Sequence, residues 1–182
     1  MVIDMGGGTS DIAILSLGDI VSSQSIRMAG DKMNSDVASY VKNKHGLVIG
    51  EHTAEKIKME LGTALRVDDP ETMDVRGRDV ATGMPKQITV NENEIEEALH
   101  DTLEQIVSAA VNVLETIPPE LASDIIDRGI MLTGGTSLLK GVDQLFSARL
   151  KVPVVVSQDP LDNVAKGAGE MLERMQKTER KK

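Results

Sequence analysis

Asp4-Met5-Gly6-Gly7-Gly8-Thr9-Ser10-Asp11 is the stretch on which the reading of this chain turns. Val2-Ile3 precedes it and Ile12-Ala13-Ile14-Leu15 follows. Both flanks are short aliphatic runs without helical spacing, so they predict two strands joined at a glycine tip. Three consecutive glycines cost backbone entropy, and two readings account for them. In the first, bare backbone approaches an anion, and successive N–H groups form a nest for phosphate oxygens. Thr9 and Ser10 then add hydroxyl donors. Asp4 and Asp11 bracket the tip, as acids do where a hydrated divalent cation or a positioned water serves a polyphosphate. On this reading a β-branched residue at Gly7 is refused twice, by a positive φ and by the phosphates. In the second reading the stretch is a plain hairpin turn and both acids are turn residues. A Walker A loop is excluded, because no Gly-Lys-Ser/Thr follows and the next element is a strand.

The 182 residues suffice for one ordinary domain or two small ones. Tyr40 and Phe146 are the only aromatic residues, so the core must be built from Ile, Val, Leu and ten Met. The lack of an aromatic platform and a net charge of −9 argue against nucleic-acid binding. Without cysteine there is no disulfide framework and no thiolate metal site. No run reaches the length of a transmembrane helix, and the first residues lack the regions of a signal peptide. A strand that begins at residue two without a lead-in reads as a chain taken from something longer. His45, His52 and His100 have no ligand spacing, and no nucleophile triad is visible.

Beyond the tip, the pattern to Met28 predicts three antiparallel strands with a turn at Gly18-Asp19. Asp31 reads as the N-cap of a helix to about Lys44, with Met33, Val37, Tyr40 and Val41 as its apolar stripe and Gly46 as its stop. Residues 47–50 read as a connector. A helix from Glu51 to Leu61 turns Ala54, Ile57 and Leu61 inward, and Glu55 and Lys58 read, on spacing alone, as a surface pair. Residues 73–80 and 86–90 predict a hairpin turning at Thr82-Gly83-Met84-Pro85. Residues 31–90 thus form an insert between two halves of something else. Asn91 and Glu94 make a capping box for a long helix to about Glu115. Pro119 is placed for N1 of a short helix through Ile126. A strand over 129–133 runs into Gly134-Gly135-Thr136-Ser137 and a helix opening at Leu138. That junction is either an anion or polar-ligand site or a tight strand-to-helix turn. Pro153 to Val156 is a last strand, and residues 162–176 a last helix. Gly167 and Gly169 within it predict close packing on another element, and Lys177, Arg180, Lys181 and Lys182 a frayed tail.

The tip at 6–9, the helix at 54–58 and the turn at 134–137, in that order around an insert, resemble the actin-like ATPase superfamily. The likeness is closer to one branch. Asp4 to Thr9, Met28-Ala29-Gly30-Asp31, Thr53 to Lys58, Arg76-Gly77-Arg78-Asp79, Pro118-Pro119-Glu120-Leu121 and Asp127-Arg128-Gly129-Ile130 resemble the bacterial cell-shape family of MreB and Mbl across essentially the whole chain. The resemblance implies an α/β fold: domain II of an actin-like, ribonuclease-H-like ATPase, with residues 1–30 and 91–182 as the core subdomain and 31–90 as a smaller α+β insert. It implies ATP and Mg²⁺ as cofactors. Gly6, Gly7, Gly8 and Thr9 would be the second phosphate loop, and Asp4 the aspartate acting through Mg²⁺ and water. Ala54, Glu55, Lys56, Ile57 and Lys58 would lie on the helix that meets ribose and adenine, with Glu55 and Lys58 as side-chain contacts. Gly134, Gly135, Thr136 and Ser137 would be the adenosine turn, with Thr136-Ser137 where a Gly-Ala type pair is common. It further implies self-association into filaments and membrane-associated wall-synthesis partners. The location would be cytoplasmic, at the membrane when full length. The family's first half, with its first phosphate loop, another catalytic acid and its membrane-inserting elements, is not among these residues. Two other readings stand beside the filament ATPase: a partner-binding fragment that hydrolyses nothing, and an actin-fold small-molecule kinase, for which the insert offers no obvious substrate cluster.

Overall fold

The computed structural model describes residues 1–179, so Arg180, Lys181 and Lys182 of the expected tail lie outside the described residues. The three opening strands form as the alternation demands. They are β1 (Val2–Met5), β2 (Ser10–Ser16) and β3 (Asp19–Ile26). β1 pairs antiparallel with β2, and β2 with β3. Strands β7 (Ile130–Thr133) and β8 (Val154–Val156) then join parallel to β1, giving the order β3-β2-β1-β7-β8. The pleat sends Ile3, Met5, Ile12, Ile14, Ile130 and Leu132 to one face, all buried. The long helix α3 (Glu92–Glu115) lies across β2 and β3 on that side. Its Ile95, Leu99, Leu103, Ile106, Ala110 and Val113 are buried, as their spacing predicts.

The start of α3 is fixed by its sequence. Asn91 accepts the Glu94 N–H at 3.1 Å, and Glu94 accepts the Asn91 N–H at 3.0 Å, so two orphan donors are satisfied reciprocally. Helix α1 (Gly30–His45) ends on Gly46 in the left-handed region. Its start differs from the expectation: Ala29 occupies the cap position without a side-chain bond, and Asp31 lies in the first turn. Backbone contacts to the glycine tip replace the cap, as described below. Tyr40 is not part of the buried stripe. Its hydroxyl donates to Glu97 Oε2 at 2.6 Å, because a phenol at the helix edge can keep its polar end wet.

Residues 47–50 are not a mere connector. Leu47–Val48 is strand β4, which pairs with β5 (Thr72–Asp79), itself paired with β6 (Pro85–Asn91). Helix α2 (Glu51–Leu61) packs on α1 and β5. Helix α4 (Pro119–Arg128) follows α3 and runs two residues beyond its expected end. The predicted helix from Leu138 is two pieces. A 3-10 turn spans Gly135–Leu138, and α5 (Val142–Leu150) begins after a break at Gly141. The last helix, α6 (Asn163–Glu179), is regular through Lys177, which pairs with Glu173, so that residue is not in a frayed tail. Gly167 and Gly169 do not pack on another element: a Cβ at either would meet nothing within 4 Å. Among the described residues no helix is long and apolar enough to cross a membrane.

Candidate functional site

The β1–β2 tip is pinned from beneath. The Gly6 carbonyl accepts the Gly30 N–H at 3.1 Å and the Thr136 hydroxyl at 3.0 Å, and the Gly7 carbonyl accepts the Asp31 N–H at 2.8 Å. The first turn of α1 therefore satisfies its orphan donors with the loop's oxygens, which explains the absent side-chain cap. With its carbonyls committed downward, the tip leaves the N–H groups of Gly7, Gly8 and Thr9 without a hydrogen bond among the described residues. Gly7 and Gly8 are exposed. None of the three glycines has a positive φ, which corrects that part of the expectation. Their smallness keeps the backbone bare, not left-handed.

Gly30 marks the place where four segments meet. A Cβ there would stand 3.2 Å from Lys58 Nζ, 3.4 Å from the Gly6 carbonyl and 3.4 Å from Thr136 Oγ1. Lys58 reaches in from α2 and donates to the Gly30 carbonyl at 3.1 Å. Burial pushes its pKa down, opposed by the charges of Glu55 and Asp31. The Glu55–Lys58 surface pair expected from spacing does not form. Glu55 instead lies 3.7 Å from His52 Nδ1.

These segments wall a cleft of about 490 Å³. Gly6, Gly7, Glu55, Lys58, Gly135 and Thr136 line it, so seven of the thirteen expected binding positions remain to be placed. Gly8 and Thr9 are at the exposed tip, where Thr9 Oγ1 donates to Asp11 Oδ2 at 2.9 Å. Ala54 and Ile57 are fully buried in the core and turn away from the cleft. Lys56 lies on the outer side of α2, 3.7 Å from Glu60. Gly134 and Ser137 are buried under the turn, with Ser137 Oγ donating to the Gly134 carbonyl at 2.7 Å. Neither Thr136 nor Ser137 caps a helix. Gly134 has φ +81°, and a Cβ on it would overlap the Asp4 carboxylate and the Met5 carbonyl. This close approach is what seats the turn beside the strand end.

Asp4 stands directly opposite Asp11 in the β1–β2 ladder. Partial burial, then the Asp11 charge, raises its pKa. Like charges opposite one another destabilise a sheet, so the pair is suited to a cation outside it. Sequence reasoning missed Gly30, Asp31, Met59, Gly62, Leu138, Leu139, Lys140 and Leu161 as cleft residues. Most sit at element ends that only tertiary pairing brings together. Gly62 and Lys140, for example, join through the Lys140 N–H to the Gly62 carbonyl at 3.3 Å and the Ala64 N–H to the Lys140 carbonyl at 2.8 Å. The Met28-Ala29-Gly30-Asp31 motif was the one signal that could have placed the first two.

A mixed sheet of order β3-β2-β1-β7-β8, with a ligand-sized cleft where a glycine tip, two helices and a glycine turn converge, defines an actin-like α/β protein. The family model described as MreB/Mbl protein matches residues 1–180, and the chain belongs to that family. Over 182 residues the chain is 52% identical to the cell shape-determining protein Mbl of Bacillus subtilis, covering all of this chain and 55% of that protein. A crystal structure of MreB5 of Spiroplasma citri bound to ADP superposes with a TM-score of 0.96 at 34% identity, over 100% of this chain and 55% of that one. The same protein bound to AMPPNP gives 0.95. A MamK double helical filament, 18% identical over 94% of this chain and 53% of that one with a TM-score of 0.77, shares the fold. The chain spans about half the length of the relatives it matches.

Proposed function

We propose that this chain is the second half of an ATP-binding, filament-forming cell-shape protein, with residues 1–30 and 91–182 as its core and 31–90 as its insert. The observation that carries this reading is the convergence of the free Gly7 N–H, with those of Gly8 and Thr9 at the tip just beyond it, the half-buried Lys58 ammonium and the Gly135-Thr136 turn around one cleft. Each part suits a nucleoside phosphate. Free amides of Gly7, Gly8 and Thr9 donate to phosphate oxygens without displacing an existing bond. Lys58, with no carboxylate in hydrogen-bonding contact among the described residues, supplies a partly desolvated cation beside them. Glu55, on the same helix, is an acceptor suited to ribose hydroxyls. Met59, Leu138, Leu139 and Leu161 form an apolar wall suited to a base.

Asp4, with Asp11 opposite, would hold Mg²⁺ through water, and a bound Mg²⁺ would supply charge neutralisation at the phosphates. The raised pKa of Asp4 also suits a carboxylate that orients a water and takes up part of its proton. The nucleotide in the two MreB5 structures and the assembly of MamK support nucleotide binding and self-association as the functions of the complete protein. The proposal extends, by likeness to the cell shape-determining relatives, to cell-shape control, wall-synthesis partners and a cytoplasmic location against the membrane for the complete protein. The chain alone holds one phosphate loop where the family clamps phosphate between two. Its affinity for ATP is therefore expected to be two to three decades weaker than that of a complete relative, about 3–4 kcal/mol. Isothermal titration calorimetry of ATP with Mg²⁺ tests this: a Kd far above micromolar fits, no heat of binding at millimolar ATP removes the nucleotide reading, and sub-micromolar binding removes the two-loop argument.

A further inference from the structure

Lys58 is held unlike the lysines around it. Lys44, Lys140 and Lys166 are bonded to Tyr40, Glu92 and Asp159, partners that push their pKa values up. Lys56, two residues before Lys58, lies on the outer side of α2 beside Glu60. Lys58 turns inward and lines the cleft. Among the described residues its Nζ donates once, to the Gly30 carbonyl at 3.1 Å. That acceptor carries no charge. Burial pushes the Lys58 pKa down, against the weaker pull of Glu55 and Asp31. A lysine desolvated in this way keeps more of its amine in the neutral, nucleophilic form than an exposed one does.

The peptide unit between Gly30 and Asp31 joins that amine to the glycine tip. Its carbonyl accepts the Lys58 bond, and its N–H donates to the Gly7 carbonyl at 2.8 Å. Lys58 Nζ and the Gly7 carbonyl thus sit at the two ends of one peptide unit. The Gly7 N–H is free for a phosphate oxygen, with those of Gly8 and Thr9 beyond it. A nucleophile this close to a phosphate nest suits an electrophile whose reactive carbon is bonded directly to a phosphate oxygen. An acyl phosphate is that kind of molecule. We infer that Lys58 is an acylation site, modified at Nζ by small acyl phosphates whose phosphate is held at the glycine tip. This rests on the phosphate-binding part of the reading above, and on neither its base wall nor its filament. In the step, the neutral amine attacks the acyl carbon, an N–C bond forms and the C–O bond to phosphate breaks. The amine proton goes to the departing phosphate, which leaves as hydrogen phosphate, and no oxidant or reductant is needed. The amide product has no charge and places an acyl group in the cleft, so acylation and nucleotide binding should exclude one another.

Acetyl phosphate is the probe, and site-resolved mass spectrometry of the 182-residue chain is the readout. Without nucleotide, acetylation at Lys58 should start at least about tenfold faster than at Lys56, Lys140 or Lys166, as about one unit of pKa difference already allows. Its rate should level off as acetyl phosphate is raised, while the rates at the other three keep rising in proportion. Acetic anhydride delivers the same acyl group without a phosphate, and with it the preference for Lys58 should shrink. Equal rates at Lys56 and Lys58 overturn the assignment. So does a preference of the same size with both reagents, because the phosphate would then play no part. AMPPNP with Mg²⁺ should slow acetylation at Lys58 alone. Binding of AMPPNP at the tip amides, with no selective acetylation, overturns acylation at Lys58 and leaves the nucleotide reading standing. Selective, saturable acetylation with no binding of AMPPNP supports acylation at Lys58 and removes the nucleotide reading.

Discussion

Gly134→Ala tests whether the turn after β7 is seated as described. At φ +81° a residue with a Cβ is strained by about 1–2 kcal/mol. The added carbon would also stand 2.5 Å from the Met5 carbonyl carbon and overlap the Asp4 carboxylate, so β1 or the turn must move. Overpacking of that kind costs a further ~1–3 kcal/mol, for a total near 3–4 kcal/mol. In a chain of this size that lowers the unfolding midpoint by roughly 10 °C. Gly7→Ala is the matched contrast. Its φ is not positive, and its Cβ would stand 3.6 Å from the nearest Asp31 oxygen, an ordinary contact. It should change stability by less than about 0.5 kcal/mol. Urea unfolding followed by helical circular dichroism measures both. If Gly134→Ala unfolds within 1 kcal/mol of the parent, the turn is not held against Asp4 and Met5, and the reasoning fails.

Lys58→Met should leave stability unchanged or raise it slightly, since burial already disfavours the charge, while weakening ATP binding at least tenfold; paired unfolding and calorimetry separate the two effects. Lys140→Met removes the ammonium that donates to the buried Glu92 at 2.5 Å and to Glu71 at 3.2 Å. Because Lys140 is half exposed, the cost above pH 5 should be about 1–2 kcal/mol. The Lys140 hydrogen bond depresses the pKa of Glu92, so this contribution is present above the unfolded value of 4.5 and is lost as pH falls through the depressed folded value. Parent and variant should therefore begin to converge in acid unfolding curves as pH falls below about 4.5, and meet below the depressed folded value. Asp4→Ala, in the chain completed by an MreB-type first half, should keep ATP bound but stop phosphate release; hydrolysis at the parent rate would leave Asp4 a strand residue without a part in the chemistry.

Where the information was local, the sequence was sufficient. Asn91 and Glu94 satisfy each other within one turn, so α3 begins where their spacing puts it. Ala54, Ile57 and Leu61 bury as their period requires. Asp31 was misread because its helix is capped by carbonyls of the glycine tip, more than twenty residues away. Leu47-Val48 is too short to show alternation and becomes a strand only through its partners Arg78 and Asp79. The site divides in the same way. Helical spacing alone sends Lys58 and Glu55 to one side of α2 and Ala54 and Ile57 to the core, yet the motif likeness had grouped all of them with Lys56. Lys140 and Leu161 could not be found, because their place in the cleft depends on the bridge between residues 63 and 140 and on the return of the chain after β8.

Amide NMR during titration with AMPPNP and Mg²⁺ reads out whether the tip, α2 and the 135–136 turn take up one nucleotide between them, since it detects millimolar binding residue by residue. Saturable shifts should appear at Gly7, Gly8, Thr9, Asp31, Lys58, Gly135 and Thr136, and should vanish in Lys58→Met at the same concentrations. Shifts confined to other parts of the fold, or none at those seven amides at saturating ligand, would contradict the account.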